Sequence, residues 1–234
     1  MNNENHPKAE LSSASYEDMM KAGMHFGRRR SVFHPGMKPN VYTLKENIYI
    51  IDLFKTAEAV KKAVEMIKRS LSDRKTILFV APTKQSSAAI EDLAKKLNMP
   101  YVVDRWLGGT LTNFKTIQQR VRHMEQLEQE QRTGGFEKYT KKERVLKDKE
   151  IEKLRKKFDG LRTLSAIPDI MFVASLKHGE LPIHEADLTK VKTIAICNTD
   201  SDPSRVNIAI PANDNAKRSI DLLLAMIVRE LEAA

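Results

Sequence analysis

From Ile48 onward the chain alternates short apolar runs with one-sided helical stripes, a rhythm that only a helix-covered parallel sheet satisfies readily. Ile48-Tyr49-Ile50-Ile51 has the length and composition of a buried parallel strand. From Thr56 to Leu71, the residues Ala57, Val60, Val64, Ile67 and Leu71 fall on one helical face. Ile77 to Ala81 predicts the next strand, and Ser86 to Leu97 the next helix, striped by Ala89, Ile90, Leu93, Ala94 and Leu97. A strand over Pro100 to Val103 follows. Later come strands at Ile170 to Ala174, Thr193 to Cys197 and Ile208 to Ile210, with a short helical piece around His184 to Lys190. A last helix runs from about Asn213 to Leu231, and Asn213 or Asp214 is its expected cap. Right-handed crossovers then give an α/β fold with a doubly wound parallel sheet.

The rhythm breaks once, from about 113 to 158. Phe114, Ile117, Val121, Met124 and Leu127 recur at helical spacing, and Leu146, Ile151, Leu154 and Phe158 repeat the pattern more loosely. Thr133-Gly134-Gly135-Phe136 separates the two arms. This predicts an antiparallel coiled-coil helical hairpin inserted into the α/β domain, with arms reaching about 30 Å at 1.5 Å per residue. The α/β domain is then discontinuous, over 16–112 and 159–234, behind a tail at 1–15 expected to be mobile. Just before the hairpin stands the only Trp, within Arg105-Trp106-Leu107-Gly108-Gly109-Thr110-Leu111-Thr112-Asn113. Gly108-Gly109 predicts a tight turn setting the angle at which the hairpin leaves the sheet, and Trp106 a packed anchor at that hinge.

Charge narrows the partner. Lys and Arg number 40 against 31 Asp and Glu, for a net +9. Between Lys115 and Lys157 there are 14 Lys and Arg against 8 Asp and Glu, a surplus of 6 in the hairpin, where a merely solvated coil would balance its signs. The second concentration runs from Lys21 to Lys45, which holds no acid but includes Arg28, Arg29, Arg30, Lys38, His25 and His34. Its glycines and prolines predict an irregular basic loop, with Phe26, Phe33 and Tyr42 anchoring it on its own domain or stacking on bases. Both concentrations suit a polyanion. The single Cys197 excludes a disulfide framework and reads as a core residue in a reducing compartment. The polar first 20 residues lack the apolar segment of a signal peptide, and no run reaches the roughly 20 apolar residues of a membrane helix.

A parallel sheet also raises the alternative of a small enzyme binding a nucleotide or sugar phosphate at the carboxyl ends of its strands. The turn after the Ile77 strand, Pro82-Thr83-Lys84-Gln85-Ser86, has no glycine, and neither glycine-rich phosphate motif occurs. Asp52, Asp104, Asp169 and Asp200 stand near strand ends, where helix capping and loop ordering explain them better than catalysis does. Two loop histidines do not make a metal site. No catalytic residue, metal or cofactor is therefore expected. A free-standing nucleic-acid-binding regulator is the other rival.

Several motifs together carry a resemblance. Met24-His25-Phe26-Gly27, His34-Pro35-Gly36-Met37-Lys38-Pro39, Ile50-Ile51-Asp52-Leu53-Phe54-Lys55-Thr56, the Arg105 to Asn113 run with Phe114, Pro168-Asp169, Asn198 to Pro203 and Ile210 to Ile220 resemble, in order, bacterial-type ribosomal protein S-two. The resemblance implies a flavodoxin-like sheet with an inserted hairpin and no catalytic activity. It implies a place on the solvent side of the small ribosomal subunit, where head meets body, in the cytoplasm or an organelle. Small-subunit rRNA, neighbouring small-subunit proteins and ribosomal protein S-one, which captures mRNA, are the implied partners, without a membrane and without homo-oligomers. Carried over by position, the rRNA-facing candidates are His25, Arg28, Arg29, Arg30, His34 and Lys38 in the first basic window. In and after the Trp106 loop they are Arg105, Thr110, Thr112, Asn113 and Lys115. The chain departs from the family pattern at Arg28, usually His, at His34, usually Asn, and at Ser165 and Ala166, usually glycines.

Overall fold

A computed structural model describes residues 16–232, so the expected mobile tail at 1–15 lies outside the described residues. Five parallel strands form the main sheet: β4 (Ile77–Val80), β5 (Tyr101–Val102), β6 (Ile170–Val173), β7 (Lys192–Cys197) and β8 (Ile208–Pro211). Their spatial order is β5-β4-β6-β7-β8. Counted along the chain from β4, this is the 2-1-3-4-5 order of flavodoxin-like folds. Each strand sends alternate side chains to opposite faces. Ile77, Phe79, Ile170, Phe172, Ile194 and Ile196 meet α2 (Leu53–Ser72), α3 (Lys84–Lys96) and α7 (Lys217–Glu232). Leu78, Val80, Met171, Val173, Ala195 and Cys197 meet α4 (Phe114–Arg132) and α6 (Glu180–Thr189) on the other face. Burial on both faces is why these strands read as continuous apolar runs.

The helical hairpin stands between β5 and β6, where a crossover helix belongs. Ile117, Val121 and Met124 of α4, and Phe158 at the end of α5 (Lys141–Phe158), join the core beneath the sheet. Further out only Leu127, Phe136 and Ile151 form a small separate cluster. The arms run antiparallel, since Glu128 meets Arg155 while Gln131, nearer the tip, meets Asp148. Gly134, with φ +76°, reverses the chain, and Thr140 caps α5 reciprocally with Glu143. Leu146 departs from the expected seam: it is exposed beside exposed Val145, and Ile151 carries the contact instead.

The amino-terminal region corrects two expectations. Ile48–Ile51 (β3) is not a strand of the parallel sheet; it is the centre of a separate antiparallel sheet, ordered β1-β3-β2. Its neighbours β1 (Phe26–Arg29) and β2 (Val41–Lys45) come from the window expected to be an irregular loop. Lys45 opposite Ile48 leaves a two-residue turn, Glu46-Asn47, with both φ values positive at 50° and 63°. Such a turn matches the twist of paired strands, but Glu-Asn lacks the glycine that normally advertises it. The third correction concerns the last helix, which begins at Lys217; neither Asn213 nor Asp214 caps it, because both are bonded elsewhere.

The small sheet sits so close to the large one that Gly27 has no room for a side chain. A Cβ there would lie 2.7 Å from Thr199 Cγ2 and 2.8 Å from the Tyr49 carbonyl. Gly27→Ala is therefore expected to cost about 1–3 kcal/mol, lowering the melting temperature by roughly 2–12 °C in a calorimetric scan. Gly108→Ala, where a Cβ would meet nothing within 4 Å, should change stability by less than about 0.5 kcal/mol.

Candidate nucleic-acid interface

In a parallel sheet of this order, ligands bind outside the carboxyl ends of the strands. Here the β7 and β8 side of that end is covered by the protein's own basic segment. Met24 and Met37 are fully buried. Backbone ties close the seam: Asn213 N donates to the Met24 carbonyl (3.1 Å), and His34 N donates to the Thr199 carbonyl (2.9 Å). Arg28 N donates to Thr199 Oγ1 at 2.7 Å, and Asn213 Nδ2 to the Gly23 carbonyl at 3.0 Å. Beneath them lies Asp214, wholly buried, accepting from Ser175 Oγ (2.6 Å), Asn198 Nδ2 (3.0 Å) and Arg28 Nη2 (3.4 Å). The Arg28 guanidinium also lies 3.3 Å from Asp200, in an ion pair whose Nε–H is not aimed at the oxygen.

This arrangement redistributes the expected RNA-facing residues. Arg28 is turned inward and neutralised by two carboxylates. His34 Nδ1 accepts from Gly36 N, holding the Pro35 turn. His25 is half-buried against the Phe26 ring (4.1 Å between centroids), and burial lowers its pKa. Arg29, Arg30 and Lys38 remain exposed and make no ion pair among the described residues. Of the rings, Phe33 packs on Tyr49 at 4.1 Å, whereas Phe26 and Tyr42 are 47% and 74% exposed.

The Trp106 loop is organised by a residue the sequence reading missed. Glu185, buried on α6, accepts at Oε1 from Trp106 Nε1 (2.9 Å) and Gly109 N (2.8 Å). Its Oε2 accepts from Leu111 N (2.9 Å) and from Thr112 N and Oγ1 (both 3.3 Å). Its signal was an acid between Ile183 and Ala186 on a helix's apolar side, where a charge stays only if it is fully bonded. Trp106 is thus a packed anchor, as expected. Gly109, at φ +90°, supplies the reversal, while Gly108 is not sterically required. Thr110 is buried with its hydroxyl on the Leu107 carbonyl (2.6 Å), so it faces the protein's own bonds, whereas Thr112 is bonded to Glu185 yet stays exposed. Arg105, Asn113 and Lys115 stay exposed at the loop's ends.

At the hairpin's base Glu128 is buried and receives Arg162 through both terminal nitrogens (2.9 and 2.8 Å) as well as Arg155. Hydrogen bonds from Arg162, opposed by burial and joined by Arg155, hold its carboxyl at a pKa of about 2. Elsewhere Asp52 caps α2 through Phe54 N, and Asp169 accepts from Thr76 N, both ordering roles. Cys197 is buried in β7, where burial pushes its thiol pKa up. Among the described residues no group of three or more His, Cys, Asp or Glu is placed to hold a metal, and no helix is long and apolar enough to cross a membrane.

A sequence model of the family described as Ribosomal protein S2 matches residues 19–234. Among curated relatives, the chain is 39% identical to small ribosomal subunit protein uS2 of Petrotoga mobilis, across 92% of this chain and 75% of that protein. The uS2 proteins of Bifidobacterium longum and Chlorobium chlorochromatii are also 39% identical, over 93% of this chain and 78% and 86% of theirs.

Burial pushes the Glu185 carboxyl pKa up, but hydrogen bonds from Trp106, Leu111, Gly109 and Thr112 outweigh it and leave the value below the ordinary 4.5. The unfolded chain therefore takes up this proton first as pH falls. Glu185's contribution should be complete above pH 4.5 and vanish as pH drops through the folded-state value. Glu185→Ala should cost about 2–4 kcal/mol near neutral pH by orphaning buried N–H groups. Urea titrations of wild type and Glu185→Gln over a pH series should show their difference shrinking below pH 4.5.

Proposed function

The chain belongs to the ribosomal protein S2 family, and from that premise we propose that it is a structural component of the small ribosomal subunit that binds small-subunit rRNA. The family is non-enzymatic. The relatives matched are named as small-subunit proteins, which supports the same placement here. The single observation that carries RNA contact is the set of exposed cations Arg29, Arg30 and Lys38, unpaired among the described residues, on a segment locked to the sheet. Arg105, Asn113 and Lys115, exposed beside the Glu185-organised loop, form a second contact region. His25, Arg28, His34 and Thr110 act from behind, positioning these groups, while Thr112 stands exposed beside Asn113. The basic hairpin adds phosphate contacts along its exposed lysines and arginines. In this reading the protein works in the cytoplasm as a single copy between head and body of the subunit, beside neighbouring ribosomal proteins, and helps recruit ribosomal protein S-one. The enzyme alternative has less footing, because residues 23–34 are bonded across the carboxyl ends of β7 and β8.

The test is sedimentation of a tagged copy with small subunits across a salt series. Arg29→Ala/Arg30→Ala/Lys38→Ala should melt like wild type yet dissociate at lower salt, with the logarithmic salt slope reduced by about 2–3. Retention identical to wild type at every salt concentration would remove these residues from the RNA contact.

A further inference from the structure

The register of the small antiparallel sheet gives it two unlike faces. Directly opposed residues on antiparallel strands point to the same side. Phe26, Ile50 and Thr43 therefore form one row, and Arg29, Ile48 and Lys45 the next, on a single face. The reverse face carries Val41 with Ile51 and Leu44 with Tyr49; Leu44 stays exposed towards the turn, but the rest lies against the domain: Phe33 stacks on Tyr49, while Gly27 and Arg28 meet Thr199 and Asp214. The first face looks outward. Phe26, Thr43, Arg29 and Lys45 are exposed there, with Ile48 and Ile50 half-buried between them. Tyr42, the most exposed large ring at 74%, projects from the irregularity between Val41 and Thr43.

We propose that this outer face binds unpaired nucleotides, stacking bases on Phe26 and Tyr42 and pairing phosphates with Arg29, Arg30 and Lys45. The inference rests on the RNA-binding reading above and names the kind of RNA that this part of the site takes. Charge selects the partner class: Arg29, Arg30 and Lys45 have no ion pair among the described residues, and Glu46 at the turn is the only acid between Lys21 and Ile51. Arg29 and Lys45 stand on the two flanking strands, about 10 Å apart at two strand spacings, with apolar surface between them. An unpaired strand offers base faces and phosphates together, whereas a duplex hides its base faces in the stack. Because Gly27, Arg28 and His34 already tie the sheet down, little ordering cost remains when a strand docks.

The experiment compares binding of the full chain to a fluorescent single-stranded RNA of mixed sequence and to an RNA duplex of equal length. Phe26→Ala/Tyr42→Ala should weaken single-strand binding by about tenfold or more, leaving duplex affinity within about twofold and the salt slope unchanged. Phe26→Trp/Tyr42→Trp should restore single-strand binding. Equal single-strand affinity in wild type and the alanine variant would overturn the proposal while leaving RNA binding intact, and would assign the face to a neighbouring protein. An equal loss on both RNAs would also overturn it. If wild type bound neither RNA, the RNA-binding reading would fail together with this one.

Discussion

The buried carboxylate of Asp214 is the fixed point on which the amino-terminal half of the protein depends. A charge removed from water must be compensated on the spot, and Ser175, Asn198 and Arg28 do so from three separate parts of the chain. Arg28 reaches it only if β1 lies across the carboxyl end of the parallel sheet, and Gly27 lets the backbone come close enough. The same contacts that close a potential ligand pocket thereby hold the exposed face of β1, β2 and β3 in place.

Glu185 and Glu128 repeat this logic at the loop and at the hairpin base. One buried carboxylate gathers the N–H groups of the Trp106 loop, and the other draws two arginines to the point where the hairpin leaves the core. Among the described residues the buried charged side chains are Glu128, Glu185 and Asp214, with no lysine or arginine among them. Acids are thus used inside as organisers, and the surface is more cationic than the net +9 alone conveys. That division suits a protein with a rigid shape and a polyanionic neighbour, since phosphate contacts depend on where cations stand and on how little they must be rearranged.

Legibility in the sequence followed the range of the interactions involved. The five parallel strands and their helices were readable because double-sided burial writes itself as apolar runs and one-sided stripes, as in Ile77–Val80 and α2. The small sheet was not: its strands are short, half-exposed and joined by a Glu-Asn turn without glycine, so Ile48–Ile51 looked like one more parallel strand. Leu146 matched a helical period but faced away, because a loose stripe leaves the rotation of a helix open.

The amino-acid sequence by itself determined the fold class, the interrupting hairpin and the cationic surplus, all of which depend on local periodicity and composition. Only the tertiary structure decided which basic and polar residues are available. Arg28 and Arg29 are adjacent and alike in sequence, yet one is consumed by Asp200 and Asp214 and the other faces outward. Thr110 likewise looks like a surface donor until burial and the Leu107 carbonyl take it up. Their fates were set by partners up to 186 residues away, and no local pattern records a pairing at that distance.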